Sequence, residues 1–497
     1  MKNKSIVLSG LLFIIVGIIP SCSDELYQTP VSSITGSSFW KTEDDANGAL
    51  YGMYSRLRSQ AEDNFFYWGE ARSEDLAQSF GIATWSEYYF KNTLNVNYPG
   101  PTWSGMYTAM HDANLLLKNL PNISFKQESV KNNYLAQAYT TRAFLYFVMA
   151  RTWGDLPLVT EPTEGYSADL FHRGRSSQEE IFKLIKSDLD NAINLFPNNS
   201  FPTGRNTWSK IAAQTLKADV YLWTAKRMGG GAADLNTALS ALNEAEKGDM
   251  TLLDDFSRIF DYDNKGNSEI VMAIRFFYLE SPNQTIYDEM GLGGGILPSN
   301  TDAETMAAIE GAPGGFAYWA IAPHIRSKFS DDDQRKKASF LEVYTVDDAT
   351  GEKTFYTACP WKYNGIVESG VRRYFDDFVI YRLADIILMK AEVKNALGQD
   401  PTEEMNKIRK RAYKTDFDSH LFVNGSKDEN DAAILEERLH EFLLEGKYWW
   451  DLIRFDKVFD LVPSLIGRGE TDRYMLLWPI SLPTLTSEPD VVQNPGW

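Results

Sequence analysis

The sequence predicts a mainly α fold, built from irregular helical hairpins joined by long loops, with a few short strands. Three observations point there. Apolar residues recur on a helical period in several long segments that close on glycine or proline. One short β-branched run, Glu269 to Phe276, breaks that period as a strand would. Residues 281–370 are rich in Gly, Pro and Asp and read mostly as long loops, and irregular stretches of that length are usually functional or disordered.

The first segment lies outside this fold. Lys2 and Lys4 precede an almost unbroken apolar stretch, Ile6 to Ile19, which is too short and wrongly flanked to span a bilayer but has the anatomy of a secretory signal. Ile19-Pro20-Ser21-Cys22 then sets a cysteine behind a small residue. This predicts a lipoprotein signal peptide over 1–21, lipidation of Cys22 and a polar tether over 22–40. Diacylglyceryl plus an amide-linked acyl chain exceeds the two anchors that stable attachment needs. A plain signal peptide with an incidental cysteine is the alternative. If Cys22 carries lipid, Cys359 has no partner, and stability must come from a large core rather than a disulfide framework. A chain of 497 residues with 43% hydrophobic content can build one.

The elements then follow in order. Thr42 predicts an N-cap, with Glu43, Asp44 and Asp45 in a first turn that suits the helix dipole. Ser129 to Trp153 is helical, with Leu135, Ala138, Leu145, Met149 and Trp153 in period and Gly154-Asp155-Leu156-Pro157 as the stop. Further helices are predicted over Ser176 to Phe196, Trp208 to Met228 and Ala233 to Lys247. Paired by short turns, they resemble tetratricopeptide-like stacking, although the repeat consensus itself is weak. After the strand and the loop region, helix is predicted again over Val379 to Leu397, Thr402 to Ala412 and Asp431 to Glu445. On these, Arg382 with Asp385, Arg438 with Glu441, and Glu445 with Arg454 offer charge pairs.

The formal net charge of −19 argues against nucleic acid and anionic lipid surfaces as partners. Motifs for hydrolysis, redox chemistry, nucleotide binding or a bound cofactor are absent. His111, His172, His324, His420 and His440 stand too far apart for metal-ligand spacing. Asp261 to Gly266 begins like a calcium loop, but Lys265 occupies a ligand position and Met272 stands where a bidentate glutamate belongs, so the segment reads as a turn into the strand.

Aromatic residues carry the functional signal. The chain has 13 Trp, 25 Tyr and 28 Phe, and several crowd into segments that read as loops. Phe65-Phe66-Tyr67-Trp68 leads into Glu70, Arg72, Glu74 and Asp75; Trp85, Tyr88, Tyr89 and Phe90 follow, then Tyr98 and Trp103. Phe316, Tyr318 and Trp319 form a second group behind Gly311 to Gly315. A sugar ring offers C–H groups on its face and hydroxyls around its edge, so flat aromatic surfaces flanked by charged groups suit it. The candidate ligand contacts are Trp68, Arg72, Asp75, Trp85, Tyr88, Tyr89, Tyr318 and Trp319. The alternative is that these rings plug the helical core, which the helical context favours for Phe65, Phe66 and Trp103.

Several motifs then resemble the SusD/RagB family. They are Tyr381 to Glu392, Asn406 to Ala412, Glu437-Arg438 through Glu445-Gly446, and Trp449 to Arg454. Upstream, Thr141 to Phe147 running to Gly154-Asp155-Leu156-Pro157-Leu158 is similar to that family's N-terminal signature. Trp478-Pro479-Ile480 and Gln493 to Gly496 match its usual ending. The resemblance covers nearly the whole mature chain. It implies a SusD-like N-terminal helical part over 41–250 carrying variable ligand loops and a C-terminal part over 251–497. It further implies a surface lipoprotein of the Bacteroidota outer membrane, with Ser23-Asp24-Glu25 as its export tag. Such a protein binds oligosaccharides, or in some members peptides, and passes them to a SusC-like TonB-dependent transporter without transforming them. Ligand residues have no fixed motif in this family, so the resemblance assigns none.

Overall fold

The computed structural model of the chain describes residues 39–81, 83–164, 173–293 and 297–497. The signal segment, Cys22, Ser23 to Glu25, nearly all of the tether and His172 lie outside the described residues.

Helix α1 (Glu43–Ala61) starts where its sequence demands. The Thr42 hydroxyl accepts from the Asp45 N–H, and the Asp45 carboxylate returns the bond to the Thr42 N–H. There follow α2 (Asn64–Gly69), strand β1 (Leu76–Gln78), α3 (Glu87–Phe90), α4 (Ser104–Asn119) and α5 (Glu128–Trp153). Helix α5 ends on Gly154 at a φ of +80°, the left-handed stop expected there. Ser177 and Ser209 cap α6 (Gln178–Leu195) and α7 (Lys210–Arg227), and α8 (Gly231–Ala245) follows. Helix α1 packs on α4, α4 on α5, α5 on α6, and α7 on α8, which is hairpin-like stacking of the kind anticipated. No described helix is long and apolar enough to cross a membrane.

The second half mixes short elements. They are β2 (Ile270–Ile274), α9 (Thr285–Met290), α10 (Ala303–Ala308), β3 (Trp319–Ile321), α11 (Pro323–Arg326) and α12 (Gln334–Ser339). Then come β4 (Phe340–Val346), β5 (Lys353–Pro360), β6 (Ile366–Glu368), β7 (Val371–Arg373) and β8 (Phe378–Arg382). Helices α13 (Leu383–Ala396), α14 (Thr402–Tyr413), α15 (Lys427–Phe442), α16 (Tyr448–Arg454), α17 (Val458–Leu461) and α18 (Leu482–Ser487) complete the chain. Among the described residues the strands form antiparallel pairs: β1 with β3, β2 with β8, β4 with β5, and β6 with β7.

Two sequence expectations are corrected here. The region 281–370 is not mostly loop, because β4 and β5 form a full hairpin from Phe340 opposite Pro360 to Val346 opposite Lys353. The Asp347 side chain closes its turn by accepting from the Ala349 and Thr350 N–H groups. The predicted helix from Val379 begins instead as strand β8, with Arg382 still extended at φ −138°. Pairing with the fully buried β2 outweighs the helical period over those residues.

The charge pairs are also redistributed, because burial rather than helical spacing selects the partners. Arg382 Nη1 reaches Glu269 at 2.9 Å and Glu441 at 2.6 Å, while Nη2 reaches Glu445 at 2.8 Å. Glu441 also meets Arg335 at 3.2 Å and Arg411. Asp385 takes Lys447 at 2.8 Å, Arg438 takes Asp451 at 2.8 Å, and Arg454 takes Glu392 at 2.9 Å. All of these side chains are buried or nearly so. Charges at such depth persist only when each is met by opposite charge and by hydrogen bonds. The family motifs therefore encode the interior of the C-terminal half.

Candidate ligand-binding site

The two aromatic loop groups meet at the paired strands β1 and β3, where Leu76 lies opposite Ile321 and Gln78 opposite Trp319. Backbone bonds extend the pairing: Ser79 N–H to Tyr318 O and Gly81 N–H to Ala317 O, both at 2.9 Å. Helix α9 backs this ribbon, its carbonyls accepting from Phe316 N–H (Asp288 O) and Tyr318 N–H (Glu289 O) at 2.8 Å each. Gly81 is required at the crossing, since a Cβ there would lie 2.3 Å from Phe316 O.

Of the eight sequence candidates, five turn inward. Trp68 is fully buried, its indole N–H donating to Pro101 O at 3.1 Å. Arg72 is also buried and serves as a clamp between chain segments. It donates to Asn92 Oδ1 at 2.8 Å and to the carbonyls of Met475 (2.7 Å) and Leu477 (3.2 Å), and it lies over the Trp449 ring. Burial pulls the Arg72 guanidinium down to about 9. Asp75 accepts from the Ser73 hydroxyl at 2.6 Å and lies against the buried Glu70 carboxyl. Glu70 in turn accepts from the Leu444, Gly446 and Lys447 N–H groups. Trp68, Arg72 and Asp75 thus lie wholly inside the protein, away from the solvent-facing rings, because burial in the core holds them there. Tyr89 and Trp319 are buried too and form the backing layer: Tyr89 stacks on Tyr67 at 5.1 Å, and Trp319 meets Phe90 at 4.6 Å.

The remaining three reach solvent. Trp85 is 39% exposed and stands edge-on to Tyr318 at 6.2 Å. Tyr318 stacks on Phe316, which is 52% exposed, and Tyr88 stacks on Tyr98, which is 53% exposed. Sequence reasoning missed Phe80, 48% exposed and stacked on Tyr356 at 4.6 Å. The lone Phe80 between Ser79 and Gly81 was the available signal; Tyr356 carried none until the β4–β5 hairpin was recognised. The result is a strip of ring faces and edges, Phe80, Phe316, Tyr318, Trp85, Tyr88 and Tyr98, on a buried aromatic layer.

An acidic floor lies beside this strip. The Tyr67 hydroxyl donates to Glu289 Oε2. Burial pushes the Glu289 carboxyl up to about 7 against that bond, and burial with neighbouring Glu62 pushes Asp63 up to about 6. Among the described residues no cluster of His, Cys, Asp and Glu is suited to hold a metal ion.

Residues 301–497 match the sequence profile described as SusD family, and residues 40–222 match one described as "Starch-binding associating with outer membrane". The solved structure of B. fragilis NanU is 33% identical, covering 94% of this chain and 99% of that one with a TM-score of 0.83. This chain belongs to the SusD family. A SusD superfamily protein from Bacteroides vulgatus is 30% identical, covering 92% of this chain and 100% of its own, with a TM-score of 0.81. A SusD-like protein of Formosa agariphila is 29% identical over 521 residues, spanning 99% of both chains. As a SusD-like protein the chain is a binding protein rather than an enzyme, of a family associated with the outer membrane.

Proposed function

We propose that this protein is a surface-exposed outer-membrane lipoprotein, tethered through lipid on Cys22, that captures oligosaccharides and delivers them to a SusC-like TonB-dependent transporter. The observation that carries the ligand assignment is the solvent-facing aromatic strip around Trp85, Tyr318 and Phe80. Rings held rigid by stacking lose little freedom on binding, and their flat faces suit sugar C–H groups. Carboxylates beside them suit sugar hydroxyls. The starch-binding description of the matched profile supports the same class. The lipid anchor rests on the Ile19-Pro20-Ser21-Cys22 pattern, and the transporter role on family membership.

Isothermal titration of the mature chain against a panel of oligosaccharides tests the ligand class. Binding to at least one member, weakened about 30-fold by Trp85→Ala with the fold intact, is the expected result. Silence across the glycans with binding to peptides would transfer the same role to peptide capture. Acyl-chain labelling lost in Cys22→Ala tests the anchor, and co-purification with a TonB-dependent barrel tests the partner.

A further inference from the structure

Glu289 lies in the floor of the aromatic strip and belongs to no feature yet given a role. Its backbone carbonyl accepts from Tyr318 N–H at 2.8 Å, which ties its position to the exposed ring. Its carboxylate accepts from the hydroxyl of Tyr67, whose ring lies 6.0 Å from both Trp85 and Trp319. Trp319, 1% exposed, turns its indole N–H toward the same carboxylate without closing a full hydrogen bond.

Among the described residues no cation comes within ion-pair distance of Glu62, Asp63, Asp288 or Glu289. Glu392, Glu437, Glu441 and Glu445 in the core, by contrast, each pair with arginine or lysine. A carboxylate set among aromatic rings with one hydroxyl donor has acceptor capacity to spare. Leaving that capacity unmet in a partly dry site is costly.

We propose that Glu289 is the specificity-determining acceptor of this face, taking a hydroxyl or amine donor from the bound ligand beside Trp85. The assignment rests on the ligand reading above. It selects neutral or amine-bearing donors at this point of the ligand and excludes a carboxylate or sulfate there, which the neighbouring acids would repel.

A pH dependence follows. The groups facing Glu289 are Tyr67 and Asp63 from α2 and its cap, Tyr89 from α3, Trp319 from β3, and Asp288 on its own helix. Glu62 stands behind Asp63 and Arg373 behind Asp288. Burial pushes the Glu289 carboxyl up to about 7, the Tyr67 bond opposes this, and the Asp63 charge adds to it. A donor ligand favours the ionised form, so binding releases a proton and affinity rises with pH across neutrality.

The experiment is calorimetric titration of the mature chain with laminarihexaose, maltohexaose, cellohexaose and hexagalacturonate at pH 5.5 and 8. The neutral probe that binds is expected to bind about ten-fold more weakly at pH 5.5. Glu289→Gln should stay folded, melting no lower than the parent chain, and flatten that difference. Tyr67→Phe should move the midpoint upward, because it removes the donor that favours the carboxylate, and Glu289→Asp should restore part of the pH profile. Binding with a flat profile, an unchanged profile in Glu289→Gln, or preference for hexagalacturonate overturns this assignment alone. Silence from every probe at both pH values overturns this assignment and the oligosaccharide reading together.

Discussion

Glu392, Glu441 and Glu445 of the C-terminal interior and the acids beneath the aromatic strip are all shielded from water at least in part, yet they behave in opposite ways. In the interior, Glu441 is surrounded by Arg335, Arg382 and Arg411, and its carboxyl is held far below the usual range. Although burial opposes it, Arg454 and Lys226 draw Glu392 down to about 2, and Arg382, Lys362 and Lys447 do the same for Glu445. Beneath the strip, among the described residues, no cation pairs with Glu289 or Asp63, and burial pushes them up to about 7 and about 6. Paired charge locks helices and strands together, while Glu289 keeps spare acceptor capacity at the edge of the strip, as the ligand role proposed for it requires.

The largest effect should come from breaking the interior. Arg382→Ala strips a shared partner from Glu269, Glu441 and Glu445. It should cost about 3–5 kcal/mol in denaturant unfolding, or prevent folding outright. A loss below about 1 kcal/mol would show that the neighbouring cations suffice.

Arg72→Ala is expected next, at about 2–3 kcal/mol of stability, through lost hydrogen bonds that join residues 72, 92, 475 and 477. Ligand affinity of the folded fraction should be unchanged. A selective loss of affinity without loss of stability would return Arg72 to the site.

Stability against pH should sharpen the contrast. Glu289 and Asp63 are raised in the folded state, so their contribution is complete below the unfolded carboxyl range and is lost as pH rises through about 6 to 7. Unfolding at pH 4.5 and 7.5 should show about 1–2 kcal/mol of that loss after allowance for partial solvent screening, and Glu289→Gln with Asp63→Asn should remove it. Glu392 and Glu445 are depressed, so their contribution is complete above the unfolded carboxyl range and is lost only as pH falls toward 2. They should therefore add little slope inside that window. The smallest effect is expected for Phe80→Ala at the edge of the strip: a loss of affinity of about three-fold, with melting nearly unchanged.

Much of the helical scaffold was legible because local rules agree with tertiary demand. Thr42 caps α1, Gly154 stops α5, and the serines at 177 and 209 open α6 and α7. The hairpin β4–β5 was also legible in principle, since Phe340 to Val346 is β-rich and Asp347 to Gly351 is turn chemistry. Gly and Asp density across the surrounding region masked it. Of the site, the two aromatic groups were found but their layers were not. Trp85 and Trp319 look alike in sequence, and only the tertiary structure leaves Trp85 at the surface and buries Trp319 in the β1–β3 pair.

By itself the sequence determined the mainly helical class, the segment boundaries set by caps and stops, and the motifs that identify the family. Those features depend on neighbours a few residues apart, whose spacing is written in the chain. The tertiary structure alone decided which charges meet, as when Arg382 chose Glu445 over Asp385, and which rings face water. It also placed Tyr67 against Glu289 across 222 residues. Such choices are made by burial and by long-range backbone pairing, and helical spacing carries no information about either.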